Sequence, residues 1–472
     1  MTKSLTIRNR LLETIGAIAD RQSVRAYVVG GFVRDFLLGR EVRDMDIVVL
    51  GDGIDFAGIV AREMKQGSLV TFPKFGTAML TLGESKVEFV GARKESYDRN
   101  SRKPSVARGT LEDDLMRRDF TVNAMAVSLN EPDRGTLFDP HGGQDDLKKQ
   151  VLRTPLNPEQ TFDDDPLRIL RAMRFAAQLG FSIDGGILRA AQEMKDRLKI
   201  VSQERISEEF LKTMMSPRPS AGLLPMQDTG VLEIVFPEMA RLSGVDQRNE
   251  HHHKDVFLHT LKVIDNISEH TQNAWLRMAA LMHDIAKPRT KAFKEGIGWT
   301  FHGHEEAGAR MVKPLFRRMK LPLDNVPYIE KLVRLHLRPM ALVDEGVTDS
   351  AVRRLLYEAG EEIDDLMTLC RADITSKNPK LVNQVKSNYE RVAQKMTEVE
   401  EKDRMRNWRP ALDGEEIMRV CGIEPGRVVG RLKQAVVDAI LDGKIPNEHD
   451  AALNYLISIK ETILNQAETG SS

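Results

Sequence analysis

The chain has 472 residues, too many for one ordinary domain, and its 41% hydrophobic and 29% charged residues predict three or four globular modules. No run of about 18 apolar residues occurs, so the sequence predicts no membrane-spanning helix. The two cysteines exclude a disulfide scaffold and favour a reducing, cytoplasmic environment. A net charge of −1 argues against nucleic-acid binding through bulk charge, although a local patch can still supply it.

The first 150 residues alternate between patterns typical of strands and of helices. Residues 4–20 have an amphipathic helical pattern without the apolar segment and cleavage site of a secretion signal. The alternation predicts an α/β module built on a mixed sheet. We expect further helices over residues 33–38 and 55–64, and strands over residues 26–29, 46–49, 69–72, 77–82 and 86–91.

Helical periodicity replaces this alternation from Pro166 onward, after a joint marked by Pro155 and Pro158. Two further breaks, residues 215–225 and 406–416, divide the helical region. We therefore expect an α+β fold, in which an N-terminal head carries the mixed sheet and the neck, central domain and tail are all helical. The predicted boundaries are 1–155, 156–225, 226–380 and 381–472.

One short stretch, GGFVRDFLLGREVRDMDIVV, combines two glycines, an Arg-Asp pair and two aspartates. Asp44 and Asp46 are two apart on a predicted strand, so both project from one face. They would repel each other unless a divalent cation lay between them, and Mg²⁺ is the natural candidate. Gly30 and Gly31 predict a turn that faces a phosphate group, and Arg34 adds a cation there. This combination predicts phosphoryl or nucleotidyl transfer, whereas the alternative is ordinary turn residues.

These motifs resemble those of the polymerase-β-type nucleotidyltransferases, specifically class II tRNA nucleotidyltransferases (CCA-adding enzymes) and bacterial poly(A) polymerases. Three further blocks follow in the family's order, LMRRDFTVNAMAV, DDPLRILRAMRFAAQLGF and SQERISEEFLK, so the resemblance spans about residues 20–215. It implies that the first block holds the nucleotide sugar, the second reads the base, and the third closes the neck. The residues implicated are Arg118, Asp119 and Asn123 in the first block, and Asp165, Arg168 and Arg171 in the second.

The base-reading block also has a physical basis of its own. Asp165 and Arg168 are three apart on one predicted helical face, and Pro166 suits the first turn of that helix. A carboxylate that only accepts and a guanidinium that only donates can together satisfy the Watson–Crick edges of C and of A. The alternative is a helix cap with an ordinary salt bridge. The family commonly has Glu where this chain has Asp164.

A third acid would complete a polymerase-type metal site. The segment KVEFVGAR offers Glu88 on a predicted strand. An exposed strand glutamate without a metal role is the alternative, and the sequence does not choose between the two.

A second constellation lies between residues 255 and 373, where His and Asp recur within helical sequence. An adjacent His-Asp pair in an apolar helix is costly unless something binds both groups. Imidazole with carboxylate suits Mg²⁺, Mn²⁺, Fe or Ni better than it suits structural zinc. The order of these residues resembles that of the HD superfamily of metal-dependent phosphohydrolases, which implies a second divalent metal. The expected ligands are His259, His283, Asp284, His304, His336 and Asp373.

The resemblance implies a function for the whole chain. The tail, with the glycine-rich GIEPGRVVGRLKQ, is similar to that of CCA-adding enzymes and is expected to bind RNA. We expect a tRNA nucleotidyltransferase that adds CCA to tRNA 3′ ends from CTP and ATP with Mg²⁺, and that has no membrane partner. In this family the HD module is linked to phosphatase and 2′,3′-cyclic phosphodiesterase activity. The alternatives are a CC-adding or A-adding enzyme, a poly(A) polymerase, or an HD phosphohydrolase with a nucleotide-sensing head.

Overall fold

The computed structural model describes residues 5–42, 44–96, 105–249, 252–296, 298–344, 348–376, 378–403 and 408–469. The chain divides into two compact units, Met1–Ala240 and Arg241–Ser472. Among the helices of the described residues, none is both long and apolar enough to cross a membrane.

The head is built on strands β1 (Ala26–Val29), β2 (Asp44–Val49), β3 (Ser68–Phe72), β4 (Thr77–Leu82), β5 (Ser85–Gly91), β6 (Arg93–Ser96), β7 (Ser105–Arg108), β8 (Ala126–Ser128) and β9 (Leu137–Phe138). Seven of these strands form one sheet in the order β3-β4-β5-β2-β1-β8-β9. β2 and β5 run parallel, while the other neighbours are antiparallel. The predicted mixed sheet is therefore confirmed.

The helices of the head are α1 (Arg10–Arg21), α2 (Gly31–Leu37), α3 (Gly53–Met64), α4 (Leu111–Met116) and α5 (Gly143–Lys149). α3 covers one face of the sheet, where Phe56 meets Phe89 of β5 edge to face at 5.9 Å between ring centroids. Alternate residues of β4 and β5 point into this core and are fully buried, as the period of two in a strand requires. One face of these strands therefore carries the core.

The first helix begins later than the sequence pattern predicts. Residue 4 lies outside the described residues, and α1 begins at Arg10. The Asn9 side chain accepts hydrogen bonds from the backbone N–H groups of Leu11 and Leu12, which caps the helix at this point. Residues 5–8 therefore lie outside the helix despite their amphipathic pattern, because a good N-cap outweighs periodicity.

The neck contains helices α6 (Pro158–Asp164), α7 (Leu167–Leu179), α8 (Gly185–Met194), α9 (Gln203–Met214), α10 (Ser220–Asp228), α11 (Val231–Val235) and α12 (Pro237–Ala240), and β10 (Val151–Leu152) pairs in parallel with β11 (Ser182–Ile183). Pro225, at the predicted boundary, lies inside α10, and the first unit ends at Ala240. α10 lies tightly on α7: a Cβ at Gly222 would be 2.5 Å from the carbonyl oxygen of Met173. The glycine there permits helix packing and does not mark a linker.

The second unit is almost entirely helical, as expected. Its helices are α13 (Val256–Ser268), α14 (Ala274–Met282), α15 (Lys287–Thr290), α16 (His304–Arg318), α17 (Val326–Leu335), α18 (Arg338–Asp344), α19 (Asp349–Ala359), α20 (Ile363–Ala372), α21 (Pro379–Asp403), α22 (Gly414–Cys421), α23 (Arg427–Leu441) and α24 (His449–Thr469). Two short hairpins interrupt the helices: β12 (Asp246–Asn249) with β13 (His252–Asp255), and β14 (Ala292–Lys294) with β15 (Gly298–Thr300).

Candidate active site and second metal centre

Three carboxylates stand side by side on the sheet of the head. Asp44 and Asp46 lie on β2 two residues apart, so they share a face. The parallel register of β2 and β5 places Glu88 directly beside Asp46. Burial raises the pKa of Asp46, Arg118 opposes this rise, and the charge of Asp44 adds to it. Burial and the charge of Asp46 also raise the pKa of Glu88. A divalent cation would relieve this repulsion, and the oxygen-only donor set fits Mg²⁺.

The glycine turn brings Arg118 to this row of carboxylates. Gly30 has a φ of +70°, and α2 begins directly after it at Gly31. A Cβ at position 30 would lie 2.7 Å from Nη1 of Arg118 and 3.4 Å from Oδ2 of Asp46. The first distance is shorter than real Cβ contacts, so a side chain at residue 30 would displace the guanidinium from its observed position.

Asp114 holds Arg118 in this position, although no motif in the sequence singles it out. The carboxylate is fully buried, with Oδ2 3.1 Å from Nη2 of Arg118 and Oδ1 2.6 Å from Nη2 of Arg117. Burial alone would raise the pKa of Asp114, but the two guanidinium groups lower it. The available signal was the spacing, because the acid precedes the two arginines by three and four residues at the end of α4.

The predicted sugar-binding residues form a buried polar network. Asn123 donates from Nδ2 to Oδ1 of Asp119 at 3.0 Å and accepts at Oδ1 from Nη1 of Arg34 at 2.7 Å. Arg171 donates from Nε and Nη2 to Oδ2 of Asp119 at 2.8 and 2.6 Å. Although burial raises the pKa of Asp119, Arg171 and Asn123 lower it to about 2. The structure thus joins residues from two separate sequence blocks, with Asp119 as an ionised centre.

Arg34 is buried and lies close to the glycine turn. Its guanidinium is buried, and it donates to both carboxylate oxygens of Asp35 at 2.9 and 2.6 Å. A Cβ at Gly31 would lie 3.6 Å from Nη2 of Arg34, so the cation is close to the turn. A role for Arg34 in phosphate binding stays a prediction, and the observed bonds join it to Asp35 and Asn123.

The base-reading pair is arranged differently from the expectation. Asp165 does not share a helical face with Arg168, because it precedes α7 in extended conformation and its Oδ1 accepts the N–H of Leu167 as a cap. Its Oδ2 accepts from Nη2 of Arg205 on α9 at 3.2 Å. Arg168 donates from Nη2 to the backbone carbonyl of Arg117 at 2.7 Å. The carboxylate and the guanidinium therefore have separate supports, and Arg205 is a neighbour that local spacing did not reveal.

The second unit brings the six predicted HD residues together at the ends of helices. They form two adjoining groups, each with ligand atoms within 4.8 Å of one another: His259, His283 and Asp373, and Asp284, His304 and His336. Nε2 of His259 lies 2.9 Å from Oδ1 of Asp373, and Nε2 of His304 lies 3.3 Å from Oδ1 of Asp284. Residues from five helical segments meet here, although the set is spread over more than 100 positions of the chain.

The imidazole rings are oriented as metal ligands are. Nδ1 of His283, His304 and His336 lies 2.6 to 2.8 Å from the carbonyl oxygens of Ala280, Phe301 and Val333 respectively. These bonds assign the proton to Nδ1 and leave the Nε2 lone pairs facing the cluster. The three Nε2 atoms are buried and have no hydrogen-bond partner among the residues that the structure describes. Buried polar atoms without partners are costly, so this donor set fits a divalent metal.

Lys287 contacts the cluster and was not expected to. Its Nζ lies 2.6 Å from Oδ2 of Asp284, one turn away at the start of α15. Burial raises the pKa of Asp284, but His283 and Lys287 lower it well below its usual value. The carboxylate is therefore ionised and able to bind a cation.

Comparison with known families identifies three segments of the chain. Residues 26–153 match the poly A polymerase head domain, residues 180–242 match the probable RNA and SrmB-binding site of polymerase A, and residues 256–378 match the HD domain. Fold and site together define a nucleotidyltransferase head followed by an HD domain, a class that implies a divalent metal.

The chain belongs to the tRNA nucleotidyltransferase family. It is 32% identical to the CC-adding tRNA nucleotidyltransferase of Thermus thermophilus, over 90% of this chain and 92% of the relative. It is 31% identical to the A-adding tRNA nucleotidyltransferase of Deinococcus radiodurans, over 90% and 94%. A solved apo CCA-adding enzyme superposes with a TM-score of 0.61 and 25% identity, over 95% of this chain and 93% of the other. The three relatives add different nucleotides, so family membership by itself leaves that choice open.

Proposed function

We propose that this enzyme adds C, C and A in order to tRNA 3′ ends, using CTP and ATP. The observation that carries the proposal is the row of Asp44, Asp46 and Glu88 beside Gly30 and the fixed guanidinium of Arg118. Acid oxygens and a fixed cation at one glycine turn are the elements that nucleotidyl transfer needs, because charge develops on the attacking and leaving oxygens.

In the reaction the terminal 3′ hydroxyl of the tRNA forms a bond to the α-phosphorus, and the bond to pyrophosphate breaks. Asp44 and Asp46, with Glu88 beside them, would hold Mg²⁺, which when bound supplies charge stabilisation for these oxygens. Arg118 faces the same row and offers N–H donors to a phosphate, while Asp114 fixes its position. Asp119 and Asn123, held by Arg171, form the wall that positions the sugar.

Recognition of both bases by one site favours complete CCA addition. Cytosine and adenine each present an amino group that donates, next to a ring nitrogen that accepts. Asp165 can accept from the amino group and Arg168 can donate to the ring nitrogen. Their separate supports, Arg205 and the carbonyl of Arg117, allow each side chain to move without the other. We therefore assign C and A to the same pair.

The test uses three tRNA substrates that end before CCA, after C and after CC, each with labelled CTP or ATP. Complete addition predicts CMP on the first two substrates and a single AMP on the third. Incorporation of CMP alone, of AMP alone or of long A tails would replace this proposal with a CC-adding enzyme, an A-adding enzyme or a poly(A) polymerase. Asp46→Asn is the matched inactive control, because it keeps the size of the side chain.

A second function, metal-dependent phosphohydrolysis, is favoured by the three buried Nε2 atoms for which the described part of the chain offers no hydrogen-bond partner. We propose that the HD residues hold Mg²⁺, Mn²⁺, Ni or Fe and hydrolyse phosphate esters such as 2′,3′-cyclic nucleotides. The purified protein is loaded with each metal in turn, and its metal content and hydrolysis of 2′,3′-cyclic AMP are measured. Absence of both metal binding and hydrolysis from the wild type would refute this second function.

We also propose a cytoplasmic location. Cys370 is buried and Cys421 is partly buried, and neither forms a disulfide. Free thiols persist in a reducing compartment. Cell fractionation that found the protein in an oxidising compartment would contradict the assignment.

A further inference from the structure

The face of the sheet that carries the catalytic acids continues beyond them to the edge of the sheet. Strand register places Glu88 beside Asp46, Met79 opposite Glu88, and Val70 opposite Met79. Residues that stand opposite each other on neighbouring strands project to the same side. Asp46, Glu88, Met79 and Val70 therefore form one row across β2, β5, β4 and β3.

This row has an apolar and accessible outer half. Val70 is 49% exposed, and Phe72, two residues further along β3 on the same face, is 41% exposed. The opposite face of β4 and β5 is buried against α3, so it cannot account for these side chains. Exposed apolar residues on an edge strand favour aggregation, which makes them unusual unless a partner uses them.

A turn next to the row adds an aromatic ring. Phe75 lies between β3 and β4 and is 65% exposed. Nη1 of Arg93 donates to the carbonyl oxygen of Phe75 at 3.1 Å, and the same guanidinium is close enough to Glu88 to oppose the rise in its pKa. Arg93 thus links the aromatic turn to the catalytic row.

The apolar surface and the residues expected to bind the triphosphate lie on opposite sides of the catalytic strand β2. Gly30 and Arg118 lie on the β1 side of β2, whereas Glu88, Met79 and Val70 lie on the other side, toward β3. Attacking and leaving oxygens are roughly in line in phosphoryl transfer. The RNA chain whose hydroxyl attacks therefore approaches from the side opposite the pyrophosphate. Three strand spacings of about 4.8 Å give a surface of roughly 14 Å, the length of about four stacked bases.

We propose that the surface formed by Val70, Phe72, Phe75 and Met79 binds the single-stranded 3′ end of the RNA primer by base stacking and delivers its terminal hydroxyl to the acids. The inference rests on the proposed nucleotidyl transfer and adds the primer-binding residues. Aromatic side chains suit this role because every base has a flat π-face, whichever nucleotide was added last. Stacking also tolerates a 3′ end that changes with each addition.

The experiment compares Phe72→Ala, Phe75→Ala and the conservative Phe75→Trp with wild type. Phe293→Ala is the matched control, since Phe293 is also highly exposed, at 63%, but lies on β14 in the second unit. Loss of one stacking ring is expected to raise the KM for tRNA between about 5-fold and 100-fold. The KM for CTP and the melting temperature should stay within about twofold and 2 °C of wild type, because the rings are exposed. Phe75→Trp should have a KM for tRNA close to that of wild type, because it keeps an aromatic ring.

A binding measurement keeps the inference separate from the transfer activity. A tRNA with 2-aminopurine at its 3′ end should be quenched on binding to wild type and to Phe293→Ala, and less so on binding to Phe75→Ala. Unchanged quenching and an unchanged KM for tRNA in both alanine variants would overturn the proposed surface even when the wild type transfers nucleotides.

An increase in the KM for CTP alone would reassign the rings to the incoming base. A change only in self-association by light scattering would make the surface a contact between copies of this chain. A wild type that transfers nothing yet quenches the probe would refute only the proposed function.

Discussion

Replacement of Gly30 by alanine tests whether the glycine turn sets the position of Arg118. The backbone at residue 30 has a φ of +70°, which costs a residue with a side chain about 1–3 kcal/mol. In addition, the new Cβ would lie 2.7 Å from Nη1 of Arg118. An ordinary contact begins near 3.4 Å, so the Cβ and the guanidinium must separate by about a further 0.7 Å.

A displacement close to 1 Å in a catalytic site costs on the order of 100-fold in rate. We therefore expect Gly30→Ala to lower kcat/KM for CMP addition by about 10- to 100-fold, with most of the loss in kcat. The assay is incorporation of labelled CMP into tRNA that lacks its 3′ end. The thermal unfolding temperature of the first unit should fall by about 2–4 °C per kcal/mol of backbone strain.

Gly39→Ala is the matched control for this experiment. Gly39 also has a φ of +70°, but a Cβ at that position would meet no atom within 4 Å. The control should therefore also carry the cost of a side chain at positive φ and keep its activity. If Gly30→Ala retains kcat/KM within twofold of Gly39→Ala, the argument that the turn positions Arg118 is wrong.

Four further predictions concern the other elements. Asp46→Asn should reduce nucleotide transfer at least about 100-fold and leave cyclic phosphodiesterase activity intact, and loss of both activities would point to unfolding. His283→Ala should show the reverse pattern, with less bound metal by elemental analysis. Arg205→Ala should leave the KM for tRNA unchanged and raise misincorporation of UMP, measured by competition with CTP, because Asp165 loses its support. The lowered pKa of Asp119, about 2, means that its stabilisation is present above about pH 4 and is lost as pH falls toward 2. The free energy of unfolding of wild type should therefore fall by about 2 kcal/mol over this pH range, whereas that of Asp119→Asn should not show this fall. Equal acid sensitivity of the two proteins in unfolding curves would refute the prediction.

Local pattern in the sequence was enough for the central strands of the head, although it did not predict α4, α5, β8 or β9 and placed the start of α1 too early. The mixed sheet, the strand carrying Asp44 and Asp46, and the glycine turn all follow from periodicity of two, turn residues and short spacing, which act over a few residues. The six HD residues were also found, because a His-Asp pair inside an apolar helix is costly without a ligand and therefore conspicuous.

Contacts between distant segments could be decided only by the tertiary structure. Asp114 is one of several acids near the arginines, and only burial shows that it holds Arg118. Asp165 meets Arg205, 40 residues away, because α9 folds beside the start of α7, whereas local spacing pointed to Arg168. Likewise, the register that aligns Val70 with Asp46 arises from pairing of four strands, and no single segment contains it. The sequence by itself determined which chemical groups are present and on which elements they lie. Only the packing of those elements decided which groups meet. The burial of a side chain and the energy of its contacts depend on partners that are far along the chain.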